Sequence, residues 1–268
     1  MRLCFLRENN INFNSNNNLN GDKNSNEKLY FMNELNKLKN VFLDNMSHEL
    51  RTPITVILGY AGLLFEELKD PELKEMAGII LQSSNRLTES LNLLLDQSDV
   101  ESNKLKINLE RYNIYELLKN AYNIHKPLIE GKNLVFNFEY GDKEIYCDLD
   151  KNMFEKIMAN LLKNAIKFTD KGSISLKLFL SQNIGGKRAV IQITDTGIGI
   201  PEEKLSLIFE AFRQVSEGMN RVYQGIGLGL SVTKKFVELL YGEINVSSKL
   251  NYGTTFTFSF PVVTNLKN

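Results

Sequence analysis

The stretch "AVIQITDTGIGIPEE", Ala189 to Glu203, changes texture halfway along. Its first seven residues read as a strand, rich in apolar and β-branched side chains. Asp195, Gly197 and Gly199 follow, and Pro201 then opens a helix. A carboxylate at a strand end can accept hydrogen bonds from an exocyclic amine, and glycines let backbone and ligand approach closely. The same residues also suit a tight strand-to-helix turn with no ligand, so the flanking sequence has to decide between the two.

Downstream lies a second glycine run, "GIGLGLSVTKKF", with Gly225, Gly227 and Gly229 just before or inside the first turn of a helix. Free N–H groups and the positive end of the helix dipole favour phosphate at such a place. No G-x-x-x-x-G-K-[ST] segment is present, and neither is H-R-D nor D-F-G, which excludes P-loop and ordinary protein-kinase sites. Between the two runs, Phe209 to Gln224 ("FEAFRQVSEGMNRVYQ") is polar enough for a mobile loop or lid, from which Arg213 and Arg221 could reach phosphates.

Upstream, "NMFEKIMANLLKNAIKFT" sorts into two helical arcs. Phe154, Ile157, Met158, Leu161, Leu162 and Ala165 share one, and Asn160, Asn164 and Lys167 stack along the other at spacings of four and three. Such a polar stripe usually meets solvent. Carboxamide oxygens are nevertheless suitable hard ligands for Mg²⁺, and Lys167 adds a point charge beside them.

These pieces sit in a mixed αβ region that begins after Ser102. "KLKINLE", "NLVFNFEY", "SISLKLFL", "AVIQITD", "EINVSS" and "TTFTFSF" read as strands, and "NIGGK" as a hairpin loop. Helices are expected over Ile114 to Glu130, Asp150 to Phe168, Glu202 to Phe209 and Leu228 to Tyr241. Strands and helices do not alternate one for one. An α+β two-layer sandwich with helices on one sheet face is therefore expected rather than a doubly wound parallel sheet.

Before Ser102 the period is helical. Met32, Leu35, Phe42, Met46, Leu50, Ile57, Leu64 and Leu68 form one stripe. Asp70 and Pro71 suit an N-cap and first position, and Leu73, Met76, Ile80, Leu87, Leu91 and Leu94 form a second stripe. The result is a helical hairpin that cannot bury both stripes alone, so two copies closing into a dimeric four-helix bundle are expected. Packing of the hairpin on the downstream domain within one chain is the alternative.

Within the first helix, "FLDNMSHELRTP" holds His48, one of only two histidines in 268 residues. On a helical wheel it lies roughly 120–200° from the apolar stripe and so points to solvent, with Thr52 one turn along and Glu49 on its flank. A neutral imidazole keeps a lone pair and can act as a nucleophile, while Glu49 can orient the ring or take its proton. Pro53 removes a backbone donor and loosens the helix there. His125, with no acid or glycine loop nearby, reads as an ordinary surface or boundary residue.

Composition sets the outer bounds. The 32 Lys and Arg balance 32 Asp and Glu, so no overall positive field draws the chain to nucleic acid or anionic lipid. Cys4 and Cys147 are too few for a disulfide framework, and with two histidines they make no zinc cluster. The longest uncharged run, Ile54 to Phe65, falls short of the roughly 20 apolar residues of a membrane span, so a cytoplasmic chain is expected. Asparagine dominates Asn9 to Asn26, which reads as a disordered linker or as compositional drift. The expected division is 1–26 linker, 27–101 helical hairpin and 102–268 αβ domain, with a hinge near Gln97 to Lys104.

Taken in order, the segments resemble the sensor histidine kinases of two-component signalling. "SHELRTP" looks like that family's phosphoacceptor segment and "NLLKNAIKFT" like its asparagine segment. "DTGIGI", "FEAF" and "GIGLGL" look like its first glycine, phenylalanine and second glycine segments. Ile226 stands where many members have threonine, which puts one phosphate contact in doubt.

The resemblance implies a dimeric hairpin domain followed by the GHKL-type ATP-binding sandwich shared with Hsp90, MutL and gyrase. It implies that His48 takes the γ-phosphoryl of ATP with Glu49 as acid–base partner, and that Asn160, supported by Asn164, holds Mg²⁺. Asp195 would read the adenine amine, and Gly197, Gly199, Gly225, Gly227 and Gly229 would shape the pocket and lid hinges. Thr52 would orient water for dephosphorylation of the partner response regulator. A nucleotide-binding dimeric scaffold that transfers nothing, or an ATPase indifferent to His48, are the other two classes. Label from γ-labelled ATP that is lost in His48→Gln marks the kinase, tight ATP binding without transfer marks the scaffold, and hydrolysis unaffected by His48→Gln marks the ATPase.

Overall fold

The computed structural model describes residues 34, 38, 43, 45–47, 49–102, 105–183, 186–213 and 226–263. His48, Gly225, Arg221 and the Asn-rich stretch therefore lie outside the described residues, as do Met32, Leu35 and Phe42 of the first stripe.

The chain divides into two compact units, one of residues 1–88 with 101–103, the other of 89–100 with 104–268. In the first unit, residues 45–47 and 49–67 are helical (α1), and α2 spans Pro71–Glu101, its final turns 89–100 counting with the second unit. Asp70 caps α2 as its sequence demands. Its Oδ1 accepts the N–H groups of Glu72 (2.9 Å) and Leu73 (3.1 Å), two donors that a helix start leaves without partners.

Among the described residues of the first unit, those buried are Ser47, Ile54 and Ala61 on α1 and Ala77 and Ser84 on α2, each series repeating every seven positions. The large apolar side chains of the expected stripes look outward instead. Ile57 (46 %), Leu64 (48 %), Leu73 (48 %), Met76 (59 %), Ile80 (46 %) and Leu87 (51 %) are exposed.

The second unit is a helix-covered mixed sheet. Strand β1 (Glu110–Asn113) pairs antiparallel with β3 (Tyr146–Leu149) in a two-stranded ribbon. The main sheet comprises β2 (Val135–Tyr140), β4 (Ser173–Asn183), β5 (Gly186–Asp195), β6 (Glu243–Lys249) and β7 (Gly253–Pro261) in the order β2-β4-β5-β7-β6. Only β2 and β4 run parallel, in register Val135 with Ser173. The β4–β5 connection turns between Asn183 and Gly186, the expected hairpin.

Helices α3 (Ile114–Gly131), α4 (Lys151–Phe168) and α5 (Gly229–Leu239) cover the sheet. Alternation fixes which strand residues face them. Ile174, Leu176 and Leu178, then Ala189, Ile191 and Ile193, then Phe256, Phe258 and Phe260 are buried, while their neighbours on the other face are mostly Ser, Thr, Gln and Lys, with Phe179, Arg188 and Val190 as the exceptions. From α4 come Phe154, Ile157, Met158, Leu161 and Leu162, and the rings of Phe154 and Phe260 lie 5.9 Å apart. Each such buried side chain contributes about 1.5–3 kcal/mol over its exposed state.

Three local readings differ from the sequence expectation. Residues 105–109 alternate like a strand but pair with nothing, because only from Glu110 onward does β3 offer a partner. The helix expected over Glu202 to Phe209 is a single 3-10 turn, Glu202–Lys204, followed by turns, and Pro201 at its start provides no side-chain cap. His125 is buried on α3 rather than at the surface, its Nδ1 2.9 Å from the Ala121 carbonyl, which satisfies the ring locally.

Candidate functional site

Helix α4 positions the asparagine row. Asp150 caps it, accepting Met153 N–H at Oδ1 (3.1 Å) and Asn108 N–H at Oδ2 (3.0 Å). Its apolar arc points into the core, which leaves Asn160, Asn164 and Lys167 half-buried on the opposite side. Lys167 Nζ lies 5.0 Å from the Phe168 ring centroid.

Asn160 meets α5. Its Nδ2 donates to Thr233 Oγ1 at 2.7 Å, and the carboxamide oxygen turns to Gly229, where an added Cβ would sit 2.4 Å from Oδ1. Glycine at the first position of α5 is therefore what allows a carboxamide to lie against the helix start. That oxygen is a hard, neutral donor of the kind Mg²⁺ takes, and it faces the end of a helix whose first N–H groups have no intrahelical partner. Gly227, at φ +76°, rests on the Arg213 carbonyl.

At the C-terminal end of α4, about 12 Å from Asn160 by helix rise, the chain from Asp195 to Ile200 is stitched into place. Ile198 N–H donates to the Phe168 carbonyl (3.1 Å) and Thr196 N–H to that of Ser173 (3.1 Å). Asn251 N–H donates to the Ile198 carbonyl (2.7 Å), and Ile200 N–H to Ser248 Oγ (2.8 Å). Gly197 fits only because it lacks a Cβ, which would fall 2.2 Å from the Phe168 oxygen. Gly199 adopts φ +68°, with Lys249 O where a side chain would go.

Asp195 is buried, and burial pushes its carboxyl above the usual aspartate range. Hydrogen bonds from the Gly197 and Thr254 backbones partly counter that rise. Its Oδ1 accepts Gly197 N–H at 2.9 Å, which orients the group.

Thus the structure brings Asn160 and Gly229, two residues after Gly227, together at the middle of α4 and Asp195, Gly197 and Gly199 at its C-terminal end, with Asn164 and Lys167 on the face between. On α1, Glu49 and Thr52 are both exposed. The helix runs through Pro53 without interruption. Arg213, read as a phosphate contact, pairs with Glu210 at 3.3 Å.

Sequence reasoning missed Thr233, Gly253 and Thr169. Thr233 fixes the Asn160 amide, and Gly253, at φ +119°, lets β7 start against the Asp195 backbone, whose carbonyl oxygen would lie 1.9 Å from an added Cβ. The Thr169 hydroxyl, at the end of α4, is buried with no partner among the described residues. Phe209, from the phenylalanine segment, packs edge-on against Phe256 at 6.4 Å with Lys234 over its ring. Among the described residues no His, Cys, Asp and Glu cluster makes a metal site, and no helix is long and apolar enough to cross a membrane.

Comparison with known proteins follows this geometry. Residues 38–103 match the His Kinase A (phospho-acceptor) domain, and residues 149–264 match the family of histidine kinase-, DNA gyrase B-, and HSP90-like ATPases. The autoinducer 2 sensor kinase/phosphatase LuxQ of Vibrio vulnificus (strain YJ016) is 40% identical over 225 residues, 82% of this chain and 26% of the relative. The circadian input-output histidine kinase CikA of Synechococcus elongatus is 34% identical over 232 residues, 84% of this chain and 30% of CikA. The chain thus spans about a quarter to a third of the length of these relatives. The crystal structure of full-length ShkA in complex with AMPPNP superposes with a TM-score of 0.68 at 27% identity, covering 83% of this chain and 46% of that one. A helical phosphoacceptor segment joined to a GHKL-type sandwich, matched along most of its length by kinases of this kind, places the chain in the histidine kinases of two-component systems.

Proposed function

We propose that this chain is an ATP-dependent protein-histidine kinase that phosphorylates its own His48 and passes the phosphoryl group to an aspartate of a response regulator. The observation that carries the reading is Asn160, midway along α4, set against Gly229 and Thr233 at the start of α5, with the buried Asp195 carboxyl near the C-terminal end of α4. The middle of α4 suits phosphates and its C-terminal end an adenine amine, so a nucleotide would lie along the second half of α4. That ShkA, a structural relative, is found in complex with AMPPNP supports nucleotide binding by this fold.

In the reaction, an imidazole nitrogen of His48 donates its lone pair to the γ-phosphorus. The bond from that phosphorus to the bridging oxygen breaks, ADP leaves with the electron pair, and Glu49 takes the proton the ring sheds. Asn160, supported by Asn164, would hold Mg²⁺, whose charge would offset that of the phosphates. Lys167 adds a cation on the same face, while Gly197, Gly199, Gly225, Gly227 and Gly229 would shape the nucleotide pocket and lid hinges. A regulator aspartate then attacks the phosphorus as the P–N bond breaks. Thr52, one turn from His48 and exposed, would orient water for the reverse duty of dephosphorylating the regulator.

The exposed Ile57, Leu64, Leu73, Met76, Ile80 and Leu87 support a homodimer, in which a second hairpin covers them to close a four-helix bundle. We assign residues 1–26 to a linker, 27–101 to dimerisation and phosphotransfer and 102–268 to ATP binding, in a cytoplasmic setting. Incubation with γ-labelled ATP and Mg²⁺ tests the activity. Acid-labile, base-stable label that disappears in His48→Gln is expected, and an unlabelled wild type overturns the reading. Light scattering at twice the chain mass is the expected result for the dimer.

A further inference from the structure

The end of α2 is held to the nucleotide-binding helices by charge. Lys163 Nζ donates to Glu89 Oε1 at 2.7 Å and Lys156 Nζ to Asp96 Oδ1 at 2.5 Å. Ser231 Oγ, in the first turn of α5, lies 3.5 Å from Gln97 Oε1. Glu89 and Asp96 are seven residues apart, and so are Lys156 and Lys163, with the order reversed. Two helices that repeat their charges at one interval in opposite directions make a registered contact rather than two independent surface pairs. The Asp96 side chain is only 14% exposed, so this carboxylate is packed into the contact.

The position of the two lysines gives the contact a consequence. Lys156 lies one turn before Asn160 and Lys163 one turn after it, all on one face of α4. Ser231 is two residues past Gly229, against which the Asn160 carboxamide rests. The three contacts therefore surround the end of the groove assigned to phosphates.

We infer that residues 89–100 of α2 are an electrostatic clamp that competes with nucleotide for the charge of Lys156 and Lys163. While Glu89 and Asp96 are docked, they cancel the two cations nearest Asn160. When they are withdrawn, two positive charges are restored within a turn of the phosphates. Binding and docking are then linked reciprocally: release of the clamp tightens nucleotide, and nucleotide loosens the clamp by the same factor. The helix that bears the clamp is continuous with the hairpin, so a twist entering α2 acts directly on nucleotide affinity. The inference rests on reading the groove as a nucleotide site.

The test is calorimetric titration of the whole chain with a non-hydrolysable ATP analogue and Mg²⁺ at low salt. Glu89→Gln with Asp96→Asn, which keep size and hydrogen-bonding capacity, should bind about fivefold more tightly than the wild type, and the gain should fade at 1 M salt. Lys156→Gln with Lys163→Gln should bind more weakly and should no longer respond to the two carboxylate substitutions. Hydrogen exchange at amides 89–100 of the wild type should quicken when the analogue is added. Equal affinity in the wild type and the carboxylate variant overturns the clamp and leaves the nucleotide site standing. A wild type that binds no analogue overturns both.

Discussion

Adding one methyl group at Gly229 separates the stability of this protein from its proposed function. In Gly229→Ala the new Cβ falls 2.4 Å from Asn160 Oδ1, 3.1 Å from its Cγ and 3.2 Å from its Nδ2, so the carboxamide has to swing away. Its 2.7 Å hydrogen bond to Thr233 goes with it, a loss of about 0.5–1.5 kcal/mol. Against this, alanine is favoured over glycine inside a helix by up to about 1 kcal/mol, and Gly229 has no left-handed φ to forbid it. The two terms nearly cancel, and thermal unfolding should shift by no more than a few degrees. Nucleotide affinity should instead fall about tenfold or more, because the proposed Mg²⁺ ligand is displaced at a cost of at least about 1.4 kcal/mol. Melting curves and a titration with fluorescent ATP analogue, run on the same preparation, read both quantities. Wild-type affinity in the variant would refute the placement of Asn160, and a loss of several kcal/mol of stability would refute the packing of α4 on α5.

Asp195→Asn keeps an acceptor for Gly197 N–H but removes a titrating group whose folded pKa is raised by burial. The native state holds this proton more tightly than the unfolded chain. Between the ordinary value of 3.8 and the raised one, wild-type stability should therefore fall with rising pH relative to the variant, which denaturant titrations across that range check. The same variant should bind adenine nucleotides poorly. Cys147 is fully buried with its thiol pushed up to about 12, so its tryptic peptide should stay unalkylated after native treatment at pH 8 and become modified after unfolding. Thr169→Val replaces a buried hydroxyl that has no described partner, and its melting point should match or exceed that of the wild type by the equivalent of about 1 kcal/mol.

Helices α3, α4 and α5 and the five strands of the main sheet were legible because each carries an unbroken period over six or more residues, and a period is a local property. The ribbon β1–β3 was not. "YCDL" offers four residues with one acid among them, and it becomes a strand only because Glu110–Asn113 arrives opposite it from 37 residues away. The alternation of residues 105–109 deceived for the converse reason, a strand pattern with no partner. The same division holds in the groove. The row of Asn160, Asn164 and Lys167 and both glycine runs could be read from spacing along one helix or loop. Thr233 and Gly253 act on residues 73 and 58 positions distant, and neither sits in a pattern that marks it.

The seam of the hairpin has a consequence for how its cohesion is measured. Serine and alanine fill most of the inward heptad positions, with Ile54 the one large residue among them, while Ile57, Leu64, Leu73, Met76, Ile80 and Leu87 face away. A helix pair built so has little to hold it together except what lies beyond its own surface. If a second copy is what covers that surface, dilution acts as a denaturant. Each tenfold drop in concentration should take about 1.4 kcal/mol from the assembled state, and the unfolding temperature of α1 and α2 should slide with it while that of the sandwich stays fixed.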